Sequence, residues 1–194
     1  NRTLFLWLNA PEHPSHLMVL LGIFFAKYFI LVVPLLIVVC WLRGREETRK
    51  MLLVATVSGA FGLLVSLVIG HLWFHPRPFM IGLGHQLIPH APDSSFPSDH
   101  LTLWWGVAFS LLVQRGPKLR WILLALLGLF VAWARIYAGV HYPLDMVGAA
   151  LLTIFSAWLT WATARWYLPS LYRLAMCLHG KLFGKLIALG WVVE

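Results

Sequence analysis

The chain has 194 residues, of which 60% are hydrophobic and 11% charged, with a formal charge of +8 and a mean hydropathy of +0.80. Soluble domains carry about 25% charged residues, and a soluble surface this apolar would aggregate. Nucleic-acid binding needs a solvated basic face; the positive residues here stand in short clusters between apolar runs, so no nucleic acid is expected and membrane lipid is the expected surrounding.

About 20 apolar residues cross a bilayer as a helix, and five candidate spans follow one another. Residues 1–16 precede them as an N-terminal interfacial segment. The first span runs from about Leu17 to Leu42, without a cleavage site after it, and is read as a span rather than a signal peptide. The second runs from about Met51 to Trp73. The third, about Pro97 to Gln114, is short and opens on Ser98, Asp99, His100 and Thr102. The fourth is about Leu119 to Ala138 and the fifth about Pro143 to Ala164. Residues 165–194 mix Arg173, Lys181 and Lys185 with Leu, Phe and Trp, and read as an amphipathic cytoplasmic-side helix lying on the membrane. The expected fold is therefore all-α: one polytopic membrane bundle of five or six helices over 1–194, with short interfacial helices.

Eleven of the fifteen Lys and Arg residues fall on one side of this topology. They are Arg43, Arg45, Arg49 and Lys50, then Arg115, Lys118 and Arg120, then Arg165, Arg173, Lys181 and Lys185. The positive-inside rule makes that side cytoplasmic and puts the N-terminus outside. Cys40 and Cys177 fall near the inner side and are expected as free thiols. Eight of nine histidines fall at or near the outer side, as does the Pro-, Gly- and Ser-rich loop of about His75 to Phe96. Within that loop His85 and His90 read as ordinary loop residues.

Three polar strings reach the same outer level: His75-Pro76-Arg77-Pro78, Pro97-Ser98-Asp99-His100, and Arg135 through His141 to Asp145. Ionisable groups at membrane depth are costly and mark function. Arginine's planar fork suits phosphate oxygens. Pro97 and Pro143 look like first-turn prolines, which would aim two helix N-termini at an anion. Asp145, four residues after His141, can turn back to the imidazole, fix its tautomer and leave the other nitrogen to attack. His100 is then free to act as general acid. No cysteine–histidine or carboxylate cluster suggests a metal, so the arginines would neutralise the charge of phosphoryl transfer.

These strings, in this order and spacing over about Gly70 to Asp145, resemble the three motifs of the type 2 phosphatidic acid phosphatase superfamily. The fuller strings Phe74-His-Pro-Arg-Pro-Phe79, Ser95-Phe-Pro-Ser-Asp-His100 and Gly139-Val-His-Tyr-Pro-Leu-Asp145 are most similar to its bacitracin-resistance branch of undecaprenyl-diphosphate phosphatases. The resemblance implies hydrolysis of a polyprenyl diphosphate without a cofactor, at the outer face of a bacterial plasma membrane, recycling the lipid carrier of cell-wall synthesis. It implies that His141 is phosphorylated with Asp145 orienting it, and that His100 protonates the leaving lipid phosphate. It implies that Arg77, Ser98, Arg135 and the backbone at Asp99 hold the phosphate.

Three positions depart from the motifs, the slightest being Ala134, where the family has a serine before its last arginine. The family's first motif opens on a lysine where this chain has Gly70, and Lys27, His71 and His75 are the candidates to replace it. Glycine is usual where Asp99 stands, so its carboxylate must face away from a phosphate. A phosphatase for another lipid phosphate, a lipid A phosphotransferase, and a membrane transporter or anion-binding module are the competing readings.

Overall fold

The computed structural model describes residues 1–114, 116 and 118–193, and the described residues form helices, loops and one isolated bridge between Pro76 and Ser94. Helix α1 spans Arg2–Leu8, α2 His16–Arg43, α3 Glu46–Leu72, α4 Asp99–Val113, α5 Lys118–Tyr137 and α6 Pro143–Ala188. A 3-10 turn, Pro78–Ile81, lies in the long loop between α3 and α4. Their starts have local causes. The Ser15 hydroxyl accepts from the Met18 amide at the head of α2. Glu46 and Glu47 occupy the first turn of α3, where carboxylates complement the helix dipole. Pro143 opens α6, and Asp145 accepts from the Tyr142 amide at 2.8 Å.

Helix α2 is irregular. It passes through a π turn at Phe24–Tyr28 and a 3-10 turn at Phe29–Leu31 before resuming at Val32. The change of pitch interrupts the i→i−4 ladder and exposes carbonyls to other donors.

Helices α2, α3, α5 and α6 are long and apolar enough to cross a membrane, and the chain is a multi-pass membrane protein. Their outward faces carry Leu64, Leu67, Leu129, Phe130, Leu151 and Trp158 to the lipid. Helix α4 is different. It has 15 residues, so it is about 22 Å long, shorter than the ~30 Å hydrocarbon core. It is packed among α3, α5 and α6, with Leu101, Trp104, Val107, Ala108 and Leu111 fully buried or nearly so. Gly106 makes its approach to α3 possible, because an added Cβ would stand 3.0 Å from the Gly59 Cα. The C-terminal end of α4 is tied to the first turns of α3 by Gln114 Nε2 donating to the Met51 carbonyl at 3.2 Å. Its N-terminal end therefore stops within the bundle, with Ser98 buried and His100 half-buried.

Two expectations are corrected. Pro97 is not a first-turn residue: Ser98 is the N-cap and α4 begins at Asp99. The helix of the fifth span does not end near Ala164; α6 runs unbroken to Ala188, over 46 residues, which is about 69 Å. The fall in hydropathy at Arg165 does not coincide with the end of the helix. Residues 165–193 continue this helix and contact the end of α2 and the start of α3, the Val193 amide bonding the Leu42 carbonyl. Lys50 lies 5.5 Å over the Tyr172 ring. Buried Arg49 donates to Met176 Sδ and to the Val193 carbonyl at 2.6 Å, and contacts His179 Nε2 at 3.1 Å. Arg115, another of the cations expected on the cytoplasmic side, lies outside the described residues. Cys40 and Cys177 are free.

Candidate active site

The loop from α5 to α6 places the central histidine. Gly139 follows the end of α5 with φ +78°, and its amide bonds the Ile136 carbonyl while the Val140 amide bonds that of Arg135. This is a left-handed helix stop. A Cβ at Gly139 would overlap the His85 carbonyl, so glycine is required there. His141 follows, 1% exposed.

The two ring nitrogens of His141 meet different chemistry. Nδ1 faces two acceptors, the Ser95 carbonyl at 2.8 Å and Asp145 Oδ2 at 3.2 Å. Nε2 faces two donors, Arg77 Nη1 at 2.9 Å and Arg135 Nη2 at 3.2 Å. The partners assign the proton to Nδ1 and the lone pair to Nε2. Burial, with Arg135, Arg77, His90 and His100 nearby, holds the ring well below its ordinary pKa of 6.5. The imidazole is neutral at pH 7 and available as a nucleophile.

Both arginines are 2% exposed. Arg77 is held on every side: Nε by Asp93 Oδ1 at 2.7 Å, Nη1 by the Val140 carbonyl at 2.9 Å, Nη2 by the Ser94 carbonyl at 3.0 Å. Arg135 is held less fully. Its Nη1 donates to the Ala26 carbonyl at 3.2 Å, a carbonyl within the π turn of α2. Arg135 Nε and the Ser98 hydroxyl are buried without a hydrogen-bond partner among the described residues. Such groups cost about 1–3 kcal/mol unless paired. The buried carboxylate, Asp145, is engaged by Tyr142 and His141. Two buried guanidinium groups, an unpaired hydroxyl and the first-turn amides of α4 together fit a phosphate.

The structure thus brings Arg77, Ser98, Arg135, His141 and Asp145 to one place, with His100 on the first turn of α4 among the same charges. Asp99 starts α4, but its carboxylate turns away, accepting from the Ser66 hydroxyl at 2.6 Å in a separate groove of about 290 Å³. His71 lines that groove as well. Lys27 is exposed on α2, with its ammonium 5.3 Å over the Tyr28 ring. His75 packs edge-on to Tyr142 at 5.7 Å. Among the described residues, none of these three side chains hydrogen-bonds Arg77, Arg135 or His141. A side chain added at Gly70 would meet Ser94 Cβ at 3.2 Å, so that position has no easy room for a lysine.

His90, read from the sequence as a loop residue, is instead at the site: its Nε2 lies 2.9 Å from Arg135 Nη2 and its ring 6.3 Å from that of His141. Asp93 was missed too. So was Asn9, whose buried amide donates to the His85 and Tyr137 carbonyls and accepts the His85 amide at 2.7 Å. None of the three is marked by its local sequence, because the partners lie far along the chain: Arg135 is 45 positions from His90, Arg77 16 from Asp93 and His85 76 from Asn9.

Comparison with known proteins agrees with this geometry. The family model described as PAP2 superfamily matches residues 48–168. YbjG of Escherichia coli (strain K12), whose name carries undecaprenyl-diphosphatase provisionally, is 38% identical over 197 residues, covering 99% of this chain and 96% of that protein. Undecaprenyl-diphosphatase BcrC of Bacillus subtilis (strain 168) is 34% identical, covering 82% of this chain and 81% of its own. Among solved structures, LpxE of Aquifex aeolicus superposes with a TM-score of 0.67 at 24% identity, over 84% of this chain and 94% of that one. A PAP2 type phosphatidylglycerolphosphate phosphatase from Bacillus subtilis gives a TM-score of 0.58 at 21% identity, over 84% and 82%. These two share the fold. With the model matching more than half of the chain, and a relative 38% identical across nearly all of it, the chain belongs to the PAP2 superfamily.

Proposed function

We propose that this protein hydrolyses undecaprenyl diphosphate to undecaprenyl phosphate and inorganic phosphate at the outer face of a bacterial plasma membrane, through a phosphohistidine at His141. The observation that carries the proposal is His141 itself: a buried neutral imidazole with Nδ1 on Asp145 and Ser95 and Nε2 between two guanidinium groups. The names of YbjG and BcrC support the diphosphate as substrate.

The geometry suggests the sequence of events. The terminal phosphate of the lipid takes N–H groups of Arg77 and Arg135 onto its oxygens, which frees the Nε2 lone pair in the same step. Nε2 attacks phosphorus, and the bond to the bridging oxygen breaks with its electron pair going to the lipid phosphate. His100 gives that oxygen a proton. Asp145 stabilises the positive charge growing on the imidazole. Water, deprotonated by His100, then attacks phosphorus; the P–N bond breaks and inorganic phosphate leaves. Fixed guanidinium groups in a water-poor site stabilise the charge throughout.

The test is phosphate release by purified protein from C55 prenyl diphosphate, phosphatidate and phosphatidylglycerol phosphate. The diphosphate should be preferred, and His141→Ala should lower turnover by on the order of 10³-fold or more. Preference for a monophosphate lipid would overturn the substrate; binding of every lipid without turnover would favour the carrier reading.

A further inference from the structure

Arg77 and Arg135 do the same work for a phosphate but are held by different chemistry. Arg77 has the Asp93 carboxylate and two carbonyls. Arg135 has the Ala26 carbonyl, the nucleophile's own Nε2, and one further side chain, His90, at 2.9 Å. When His141 attacks, its Nε2 is no longer an acceptor for Arg135. Among the described residues, Ala26 and His90 are then the groups left to orient this guanidinium.

We propose that His90 is a positioning residue of this site, the neutral hydrogen-bond acceptor that keeps the Arg135 guanidinium aimed at the phosphoryl group. The inference rests on the phosphatase reading above and names a residue outside the three motifs. His90 is suited to this in three ways. Its Nδ1 lies 3.1 Å from the Ala91 carbonyl, which places the proton there and leaves Nε2 as acceptor. Burial and the nearby Arg77 and Arg135 lower its pKa, so the ring is neutral at pH 7. Its loop is fixed: the Leu87 amide bonds the Ala138 carbonyl, the His85 amide bonds Asn9, and Ile88 packs with Ala26, Ala134, Ala138 and Val140.

A neutral acceptor also differs from a carboxylate in effect. A carboxylate on Arg135 would compete with the phosphate for the guanidinium and cancel its charge. An imidazole orients the group and leaves the charge for the substrate.

The experiment compares His90→Ala and His90→Gln with the unaltered protein. Glutamine is chosen because its side-chain oxygen can reach about where Nε2 stands. Two quantities are measured on detergent-purified protein: kcat/KM for C55 prenyl diphosphate, and the affinity for inorganic phosphate from its effect on thermal unfolding. His90→Ala should lower both by about tenfold, the effect of one hydrogen bond to a charged group. His90→Gln should recover both to within about threefold. Unchanged values in His90→Ala would overturn the proposal. Equal loss in both variants would overturn it as well, since that outcome assigns His90 to loop packing alone. If the unaltered protein binds phosphate but does not cleave the diphosphate, the substrate reading fails while the phosphate measurement still decides on His90.

Discussion

His141 Nε2 is the atom on which two guanidinium groups converge, and its lone pair depends on where the ring's proton sits. That proton is kept on Nδ1 by Ser95 and Asp145. Asp145→Asn can present an N–H to Nδ1 and favour the wrong tautomer, so kcat should fall by on the order of 10³–10⁴-fold with the fold intact, as measured by steady-state hydrolysis beside a thermal melt. The pH behaviour follows from the same burial. The folded-state pKa of His141 lies well below 6.5, and that of His90 is lowered too. The unfolded chain takes up these protons near pH 6.5 while the folded chain does not. Stability contributed by the neutral rings is therefore present above pH 6.5 and lost as pH falls below it, by about 1.4 kcal/mol per pH unit for each ring that stays unprotonated. Unfolding midpoints in detergent should therefore fall more between pH 7 and 5.5 in the unaltered protein than in His90→Gln, and an equal fall in the two would contradict a neutral buried His90. The motif residues were legible because each string is short and carries chemistry in adjacent positions: Arg77 between prolines, Ser98 to His100 at a helix start, His141 four residues before Asp145. His90 was not, because its partner is 45 positions away and nothing in the local string marks it.

The elements that matter most to the site are irregular or short. The π turn of α2 presents the Ala26 carbonyl to Arg135; a uniformly apolar run gives no sign of where its pitch will change. Helix α4 was legible as a short, polar-headed segment, and its shortness is what sinks Ser98 and His100 into the bundle. Helix α1 was expected only as an interfacial piece. Its following residue, Asn9, bonds the loop at His85 and the end of α5 at Tyr137. Asn9→Ala leaves the half-buried His85 amide without this acceptor and removes the bonds Asn9 donates to the His85 and Tyr137 carbonyls, and should cost about 1–2 kcal/mol. A lowered unfolding midpoint together with weaker phosphate binding is the expected result; a midpoint equal to that of the unaltered protein would show that the latch contributes nothing.

At the scale of the whole molecule, the site and the basic cluster occupy opposite ends of the bundle. Hydropathy and the clustering of positive charge made the spans and their order legible. They could not show that α6 continues for 46 residues, because hydropathy follows the solvent and a helix can leave hydrocarbon without ending. The proposed orientation puts exposed Cys177 inside, so a membrane-impermeant maleimide should label it in inverted vesicles and not in intact cells; the reverse pattern would place the active site in the cytoplasm. The chemistry itself is tested most directly by rapid quench with a polyprenyl diphosphate carrying radiolabel in its terminal phosphate. The label should appear on the peptide containing His141, stable to alkali and labile to acid, and be missing in His141→Ala. Label on another residue, or undiminished turnover by His141→Ala, would contradict attack by this imidazole.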